Sequence, residues 1–282
     1  MKGKTCLVTG ATSGIGLVAA EELARRGAAL ILVGRDSGRA AAALDRIKSR
    51  VPAAQVALRI ADLSRLAEIR RLAADLLANA GRIDVLVNNA GAFFDRHKLT
   101  EDGLERTFAL NHMAYFLLTN LLLAKIREAA PARIVNVASA AHLGATLDFS
   151  DLTGRRDAKG WPAYRCSKLA NILFTAELAR RLEGSGVTAN CLHPGFVATR
   201  FGDAGNTLAT RAFLGLAKRV MAITPEEGAR TIVHLVSAPE VAGVSGRYFV
   251  KSREAQPSPA AQDAVAARRL WEESARIAGI AG

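Results

Sequence analysis

The sequence predicts an α/β fold, a single domain built on a doubly wound parallel β-sheet. Short apolar runs with strand character alternate along the chain with longer segments of helical periodicity, a pattern typical of parallel sheets covered by helices on both faces. Glycine or polar residues directly follow most of the strand-like runs, where the ligand sites of such sheets lie. A chain of 282 residues, half of them apolar, is long enough to bury one large core.

The boundaries of the predicted elements follow from periodicity and from turn residues. The predicted strands cover residues 4–9, 28–33, 55–60, 83–87, 133–137, 187–192 and, as the last one, 248–250. The predicted helices cover residues 14–26, 64–80, 101–128 with a bend near Asn111, and 164–181, and further helices begin after the caps Asp36 and Thr224. A linker at residues 256–259 precedes a basic amphipathic helix that ends near residue 277 and packs either on the body of the domain or on another subunit.

A glycine-rich turn joins the first predicted strand to the first predicted helix. Residues 9–16 read TGATSGIG, with the glycines in the spacing GxxxGxG rather than the common GxGxxG. Glycines permit a tight turn and the close approach of a pyrophosphate, and the N-terminus of the helix supplies free N–H groups and the positive end of a dipole. A glycine triplet alone indicates only a tight turn, but its place between a strand and a helix predicts a dinucleotide-binding unit.

The end of the second predicted strand decides which dinucleotide is expected. NAD-binding proteins place an acidic residue there for the ribose hydroxyls, whereas an arginine suits the 2′-phosphate of NADP. Here the strand ends at Gly34 and Arg35, and Asp36 is better placed to cap the next helix. The sequence therefore predicts NADP, with NAD less favoured, bound through Arg35 and, as a second contact, Arg39. The alternative is that Arg35 is a solvated charge after a strand.

Tyr164 and Lys168 lie four residues apart in a predicted helix, so their side chains share one face. A phenol has a pKa of about 10 and is a poor proton donor or acceptor at neutral pH unless its surroundings change that pKa. An ammonium group one turn away favours the phenolate and is expected to lower the pKa of Tyr164. From this pair alone, an exposed tyrosine and lysine without a chemical role is the favoured interpretation.

Taken together, the motifs resemble those of the short-chain dehydrogenase/reductase family. Residues 9–16 match that family's cofactor loop, Asp62 and Leu63 its adenine contact, residues 88–91 its NNAG motif, and Pro194 with Gly195 its PG motif. Its catalytic tetrad is matched in order by Asn111, Ser139, Tyr164 and Lys168. The resemblance spans most of the first 200 residues and implies a Rossmann-like fold, with a cofactor half at about residues 1–130 and a catalytic and substrate half at about 131–282.

The resemblance implies a role for each residue of the tetrad. Tyr164 would be the general acid in carbonyl reduction and, as the phenolate, the base in alcohol oxidation. Lys168 would lower the pKa of Tyr164 and hydrogen-bond the nicotinamide ribose. Ser139 would hold the substrate oxygen and stabilise its developing charge, and Asn111 would hold a water that links Lys168 to solvent.

The resemblance also implies a set of cofactor contacts. The expected residues are Gly10, Thr12, Ser13, Gly14, Ile15, Gly16, Arg35, Asp62, Leu63, Asn88, Ala90, Gly91, Tyr164, Lys168, Pro194, Gly195, Val197 and Thr199. The last four would line the nicotinamide end, with Thr199 near the carboxamide and the diphosphate. His193, just before these four, is expected to be a packing or loop residue.

Within the family, several stretches resemble the retinol-dehydrogenase-like branch. They lie at residues 110–112, 116–119, 133–137, 164–171 and 267–271. That branch reduces or oxidises retinoids, steroids and other lipophilic carbonyls and alcohols, usually with NADP. Many of its animal members carry an N-terminal membrane anchor, which we do not expect here because residues 1–4 lead directly into a predicted strand.

The family places its substrate lid at about residues 196–223. This stretch contains an apolar, basic run at residues 211–223. The run is expected to close over a lipophilic substrate, to lie on a membrane surface, or to pack as an ordinary helix.

Composition limits the remaining function classes. The formal net charge is +12, yet no compact Lys/Arg run and no nucleic-acid motif is present, so solvated helix faces with a local field for an anionic ligand are the favoured interpretation. Cys6, Cys166 and Cys191 have no paired or metal-like spacing, which fits a reducing, cytoplasmic compartment, and we expect no metal. The longest apolar stretch, residues 114–126, is expected to be too short to span a bilayer.

Three functions are compatible with these observations. The favoured one is an oxidoreductase that transfers a hydride between NADP(H) and a small lipophilic alcohol or carbonyl substrate, retinoid-, steroid- or aldehyde-like. The second is a catalytically silent NADP-binding regulator on the same fold, against which the complete tetrad argues. The third, a nucleic-acid- or membrane-binding protein, is suggested only by the charge. From the resemblance we also expect a homo-oligomer.

Overall fold

The computed structural model describes residues 1–154, 156, 160–197, 206–207, 210 and 223–281. Most of the predicted lid, including nearly all of the run 211–223, and the predicted site residue Thr199 therefore lie outside the described residues.

An eight-stranded sheet forms the centre of the described structure, in the order β3-β2-β1-β4-β5-β6-β7-β8. Its strands are β1 Thr5–Thr9, β2 Ala29–Gly34, β3 Val56–Ile60, β4 Val85–Asn88, β5 Ala132–Val137, β6 Val187–His193, β7 Tyr248–Val250 and β8 Arg253–Ala255. β1 to β7 pair in parallel, which confirms the predicted doubly wound parallel sheet, and only the edge pair β7–β8 is antiparallel.

Strand β8 corrects the expectation that residues 248–250 form the last strand. It follows β7 after Lys251 and Ser252, which both have positive φ angles and reverse the chain. Its sequence Arg-Glu-Ala has no alternation of apolar and polar residues, because an edge strand exposed to solvent needs none. The hydrophobic pattern therefore gave no signal for it.

Helices cover both faces of the sheet. They are α1 Gly14–Arg25, α2 Ser37–Arg50, α3 Leu66–Asn79, α4 Arg106–Phe108, α5 Ala114–Glu128, α6 Gly160–Arg181, α7 Pro225–Ser237 and α8 Ala264–Ala278. Both predicted caps are confirmed: the Asp36 carboxylate accepts the backbone N–H of Arg39 at 2.8 Å, and Thr224 forms a capping box with Glu227.

The predicted bend near Asn111 is a π-helical turn, Ala109–Met113, which separates α4 from α5. The helix begins at Arg106 rather than near residue 101, because Leu99 and Glu105 pair as a β-bridge and Glu105 then caps α4 by accepting the Phe108 N–H. This turn places the Asn111 side chain against the loop after β4, where its oxygen accepts the Ala92 N–H.

Apolar residues on the strands alternate between two cores, one on each face of the sheet. In β1, Leu7 belongs to one core, while Cys6 and Val8 belong to the other. The C-terminal helix α8 joins the first core through Trp271, whose ring centroid lies 5.0 Å from that of Phe116. Of the two open placements for this helix, the structure therefore shows packing on the body of the domain.

One helical stretch in the described part of the chain, Arg106–Glu128, is long and apolar enough to cross a membrane by length and composition alone. The apolar residues 114–126 lie within this longer stretch of 23 residues, because the π-turn joins α4 and α5. Of its apolar window, 72% is buried inside the domain, where it packs against the sheet as a core helix.

Candidate active site

The carboxyl ends of the parallel strands open into a cleft of about 1490 Å³. This is where ligands bind in doubly wound sheets. The predicted site residues on its wall are Gly10, Thr12, Ser13, Gly14, Ile15, Gly16, Arg35, Asp62, Leu63, Ala90, Gly91, Ser139, Tyr164, Lys168, Pro194, Gly195 and Val197. Residues scattered over nearly 190 positions of sequence thus meet along one edge of the sheet.

The glycine turn is packed directly against the loop that follows β4. Gly10 has a φ of +65°, and a Cβ there would lie 2.7 Å from the Cα of Ala90. A Cβ on Gly16 would lie 2.4 Å from the amide nitrogen of Asn89, which donates a hydrogen bond to the Thr9 carbonyl at 2.8 Å. These glycines are therefore required first by protein packing, which holds the N-terminus of α1 at the cleft.

That helix N-terminus has the features of an anion site. Ser13 is its N-cap residue, but the Ser13 side chain makes no capping hydrogen bond to the helix. Ser13, Gly14 and Ile15 all line the cleft. The first backbone N–H groups of a 12-residue helix and a cap hydroxyl are thus placed where a pyrophosphate would bind.

One end of the cleft is basic. Arg35 is exposed and, with Arg39, lines the wall after β2. The neighbouring acid, Asp36, is occupied as the helix cap, and its hydrogen bond from the Arg39 N–H lowers its pKa. At Gly34, a Cβ would lie 2.3 Å from the methyl carbon of Thr12, so no larger side chain fits at the strand end without displacing Thr12.

Ser139, Tyr164 and Lys168 converge at the other end. Ser139 follows β5, and its side chain is hydrogen-bonded to that of Tyr164. The Lys168 ammonium donates to the Val137 carbonyl at 3.0 Å and lies 5.6 Å from the centre of the Tyr164 ring. Tyr164 and Lys168 are 7% and 4% exposed, so the helical pair faces the cleft and not solvent.

Burial sets the proton affinities of this pair. It raises the pKa of the Tyr164 phenol above its usual value, and the hydrogen bond with Ser139 opposes this only in part. Burial also lowers the pKa of Lys168 to about 7. Desolvation disfavours the charged form of each group, so the net change in the Tyr164 pKa is upward, and a lowering of that pKa by Lys168 stays a prediction.

Asn111 lies beneath the cleft and not on its wall. Its side-chain oxygen accepts the Ala92 N–H at 2.9 Å, and its amide nitrogen donates to the hydroxyl of Ser167 at 3.0 Å. A Cβ on Gly91 would lie 3.2 Å from that Asn111 oxygen and 3.6 Å from the Lys168 nitrogen, so this glycine lets the two side chains approach. The role of Asn111 in holding a water stays a prediction.

The structure also moves Asn88 off the cleft wall. Its side chain is fully buried and donates to the hydroxyl of Thr119 and to the side-chain oxygen of Asn136, each at 2.9 Å. These bonds join β4 to β5 and to α5. Asn88, expected as a cofactor contact, is therefore not on the cleft wall, because its side chain is hydrogen-bonded inside the sheet.

Sequence reasoning missed an aromatic wall beside Tyr164. Phe93, Trp161 and Phe196 all line the cleft. Phe93 follows the NNAG motif by two positions, and Trp161 precedes Tyr164 by three, a spacing that places both on one helix face. That spacing could have revealed Trp161. His193, expected to be a packing or loop residue, also lines the cleft, and burial lowers its pKa to about 4.

The groups on the wall fit a nicotinamide dinucleotide. The cleft has the basic residues for an adenosine phosphate at one end, a helix N-terminus for the diphosphate, and a phenol and a lysine at the other end. Among the described residues, no group of three or more His, Cys, Asp or Glu side chains could hold a metal ion.

Comparison with known proteins also points to a protein that binds a nicotinamide dinucleotide. The family model for the short chain dehydrogenase matches residues 4–207. Retinol dehydrogenase 13 of Homo sapiens is 45% identical over 99% of this chain and 85% of its own length, and retinol dehydrogenase 14 of Mus musculus is 43% identical over 99% and 87%.

Solved structures extend the comparison. An uncharacterized protein from Mycobacterium Paratuberculosis superimposes with a TM-score of 0.78 at 33% identity, over 99% of this chain and 94% of its own. An actinorhodin polyketide ketoreductase solved with NADPH superimposes with a TM-score of 0.69 at 27% identity, over 87% of this chain and 94% of its own.

Proposed function

Because the chain belongs to the short-chain dehydrogenase family, retinol-dehydrogenase-like branch, we propose that it transfers a hydride between NADP(H) and a lipophilic alcohol or carbonyl compound. Membership makes it an oxidoreductase that acts on CH–OH or C=O groups with a nicotinamide dinucleotide.

The observation that carries the proposal is the placement of Ser139, Tyr164 and Lys168 at one end of a cleft whose other end holds Arg35 and Arg39. The bound nicotinamide supplies or accepts the hydride. The protein must then deliver or remove one proton at the substrate oxygen. At this end of the cleft, the phenol of Tyr164 is a stronger acid than the Ser139 hydroxyl and is the group that exchanges this proton.

In the direction of carbonyl reduction, Tyr164 donates its proton to the carbonyl oxygen. The raised pKa keeps the phenol protonated at neutral pH, so the donor form is the resting form. The Ser139 hydroxyl donates a hydrogen bond to the same oxygen and stabilises the negative charge that develops there. Lys168 lies close enough to stabilise the phenolate that remains, and its pKa of about 7 lets it exchange protons near neutral pH.

The residues at the end of β2 favour NADP over NAD. An NAD-type site needs a carboxylate at the ribose hydroxyls, but Gly34 cannot carry one beside Thr12, and the Asp36 carboxylate caps α2. Arg35 and Arg39 place positive charge at the same end of the cleft. A guanidinium binds a phosphate through charge-assisted hydrogen bonds, which favours the 2′-phosphate of NADP.

The aromatic side chains on the cleft wall favour a lipophilic substrate. Trp161 and Phe196 are 53% and 38% exposed, and both line the cleft. Exposed apolar surface inside a cleft is stabilised when an apolar ligand covers it. The names of the relatives, retinol dehydrogenases, agree with this class. A homo-oligomeric state and a cytoplasmic location stay predictions.

The proposal is tested by titration of the purified protein with NADPH and NADH, followed by NADPH oxidation with a panel of lipophilic aldehydes and ketones. We expect tighter binding of NADPH and turnover of at least part of the panel. Equal affinity for both cofactors would contradict the choice of NADP. Cofactor binding without turnover of any compound would favour the silent regulator, and binding of neither cofactor would refute the proposal.

A further inference from the structure

The ring of Tyr164, the proposed proton donor, forms a cluster with two other aromatic rings, those of Trp161 and Phe93. The indole of Trp161 is stacked on the Tyr164 ring, with centroids 5.6 Å apart and planes inclined by 27°. Phe93 meets both rings edge-on, at 6.1 Å from Trp161 and 6.0 Å from Tyr164. These distances are those of favourable aromatic pairs. The cluster fixes the orientation of the indole relative to the Tyr164 ring.

Backbone packing holds the cluster in place. Gly160, the first residue of α6, lies so close to the chain after β4 that a Cβ would be 2.9 Å from the Cα of Asp95 and 3.1 Å from the carbonyl oxygen of Phe94. This approach joins the start of the helix that carries Trp161 to the loop that carries Phe93. The indole is thus presented by two packed elements and not by a free side chain.

The other rings of the cluster are buried, but the indole is not. Phe93 and Tyr164 are 8% and 7% exposed, whereas Trp161 is 53% exposed and lines the cleft. A stack uses only one face of a ring. Trp161 is the most exposed aromatic residue among the described residues that line the cleft.

We propose that Trp161 is a specificity-determining residue that stacks on the substrate and favours carbonyl compounds with a flat conjugated system next to the reacting C=O group, over saturated compounds of the same length. An aldehyde or ketone held at the Tyr164 hydroxyl would lie near the indole, because Trp161 and Tyr164 line the same cleft and their rings are stacked. A conjugated enal or aryl carbonyl is planar and gains an offset stack there. A saturated chain gains only apolar contact. This inference rests on the proposed function and assigns a selectivity within it.

The first test compares trans-2-nonenal with nonanal, two aldehydes that differ in one conjugated double bond. The kcat/KM values with saturating NADPH are measured for the wild type and for Trp161→Leu, which keeps an apolar side chain but removes the flat ring. We expect the value for nonenal to fall about 3- to 10-fold, the loss of one aromatic stack, and the value for nonanal to change less than about twofold. Trp161→Phe, which retains a ring, should recover most of the preference for nonenal.

The control variant is Val265→Ala, at a residue of α8 that is 74% exposed and is not among the residues that line the cleft. It should leave both kcat/KM values unchanged. If Trp161→Leu lowers both values equally, Trp161 only positions Tyr164 and the proposal is wrong, although the proposed function stands. If neither value changes, the proposal is likewise overturned.

A binding test decides the matter even without turnover. The chain has two tryptophans, and the second, Trp271, is 4% exposed in the core. With NADP⁺ present, the conjugated ketone 4-phenyl-3-buten-2-one should quench tryptophan emission of the wild type, after correction for absorbance, and should leave the Trp161→Phe variant unquenched. The saturated analogue 4-phenyl-2-butanone should bind more weakly. Equal quenching of both proteins, or none of either, would refute the contact.

Discussion

The sharpest prediction concerns two tyrosines that flank the same lysine. Tyr164 and Tyr115 are both buried, and the Lys168 nitrogen lies 5.6 Å and 6.0 Å from their ring centres. Tyr164 lines the cleft and is hydrogen-bonded to Ser139, whereas the Tyr115 hydroxyl has no hydrogen-bond partner among the described residues. Replacing each by phenylalanine removes one hydroxyl from a ring whose centre lies at nearly the same distance from the Lys168 nitrogen. Only Tyr164→Phe removes the proposed proton donor.

The expected magnitudes follow from these contacts. General acid–base catalysis contributes about 10²- to 10⁴-fold, so Tyr164→Phe should lower kcat by that factor, or about 2.7–5.5 kcal/mol in the barrier. It should weaken NADPH binding by no more than about tenfold, since at most one hydrogen bond to the cofactor is lost. Tyr115→Phe should keep kcat within about twofold, because its hydroxyl reaches no polar group in the described structure.

The assay is steady-state NADPH oxidation with the best aldehyde of the panel, alongside NADPH titration and thermal unfolding of each variant. Unfolding separates a catalytic loss from a folding loss. Each variant should stay within about 1.5 kcal/mol of the wild type in unfolding free energy, the scale of one hydrogen bond. Near-normal turnover by Tyr164→Phe, or equal losses in both variants, would refute the assignment of the proton donor.

Three further predictions concern other residues that line the cleft. Arg35→Asp should weaken NADPH at least tenfold more than NADH in a binding titration, since it reverses the charge at the proposed 2′-phosphate site; equal losses would contradict that site. Gly16→Ala should lower the melting temperature and the NADPH affinity together, because its methyl group would lie 2.4 Å from the Asn89 amide; an unchanged melting temperature would show that the loop yields. Burial lowers the pKa of Lys168 to about 7 from its usual 10.5. Between these two pH values, Lys168 is protonated in the unfolded chain and neutral in the folded one, so a rise in pH favours the folded state. The wild type should therefore gain stability relative to Lys168→Met as the pH rises. Urea unfolding of both proteins at pH 7 and pH 9.5 measures this gain, and a constant difference would refute the buried-lysine argument.

In the C-terminal part of the chain, sequence patterns predict the final helix but neither its packing partner nor the last strand. The final helix was predicted from its amphipathic period, but the period describes only one apolar face and does not say what covers it. The structure answers through Trp271, which packs on Phe116 at 5.0 Å and on Phe174 at 5.8 Å between ring centroids. Strand β8 had no hydrophobic signal, because its residues are charged and lie at the sheet edge.

The sequence by itself determined the features that depend on local order along the chain. Alternating strands and helices fixed the doubly wound sheet, and turn residues at strand ends indicated which edge holds the site. The caps at Asp36 and Thr224 are local as well, since each binds a backbone N–H three residues away.

Only the tertiary structure decided the features that depend on what surrounds a side chain. Asn88 and Ser139 both follow or end a central strand, yet one is enclosed between strands and a helix while the other faces the cleft. Tyr164 and Lys168 share a helix face whether that face is exposed or buried, but the direction of their pKa changes comes from burial by distant elements. Desolvation is a property of the whole packed neighbourhood, and no spacing in the sequence records it.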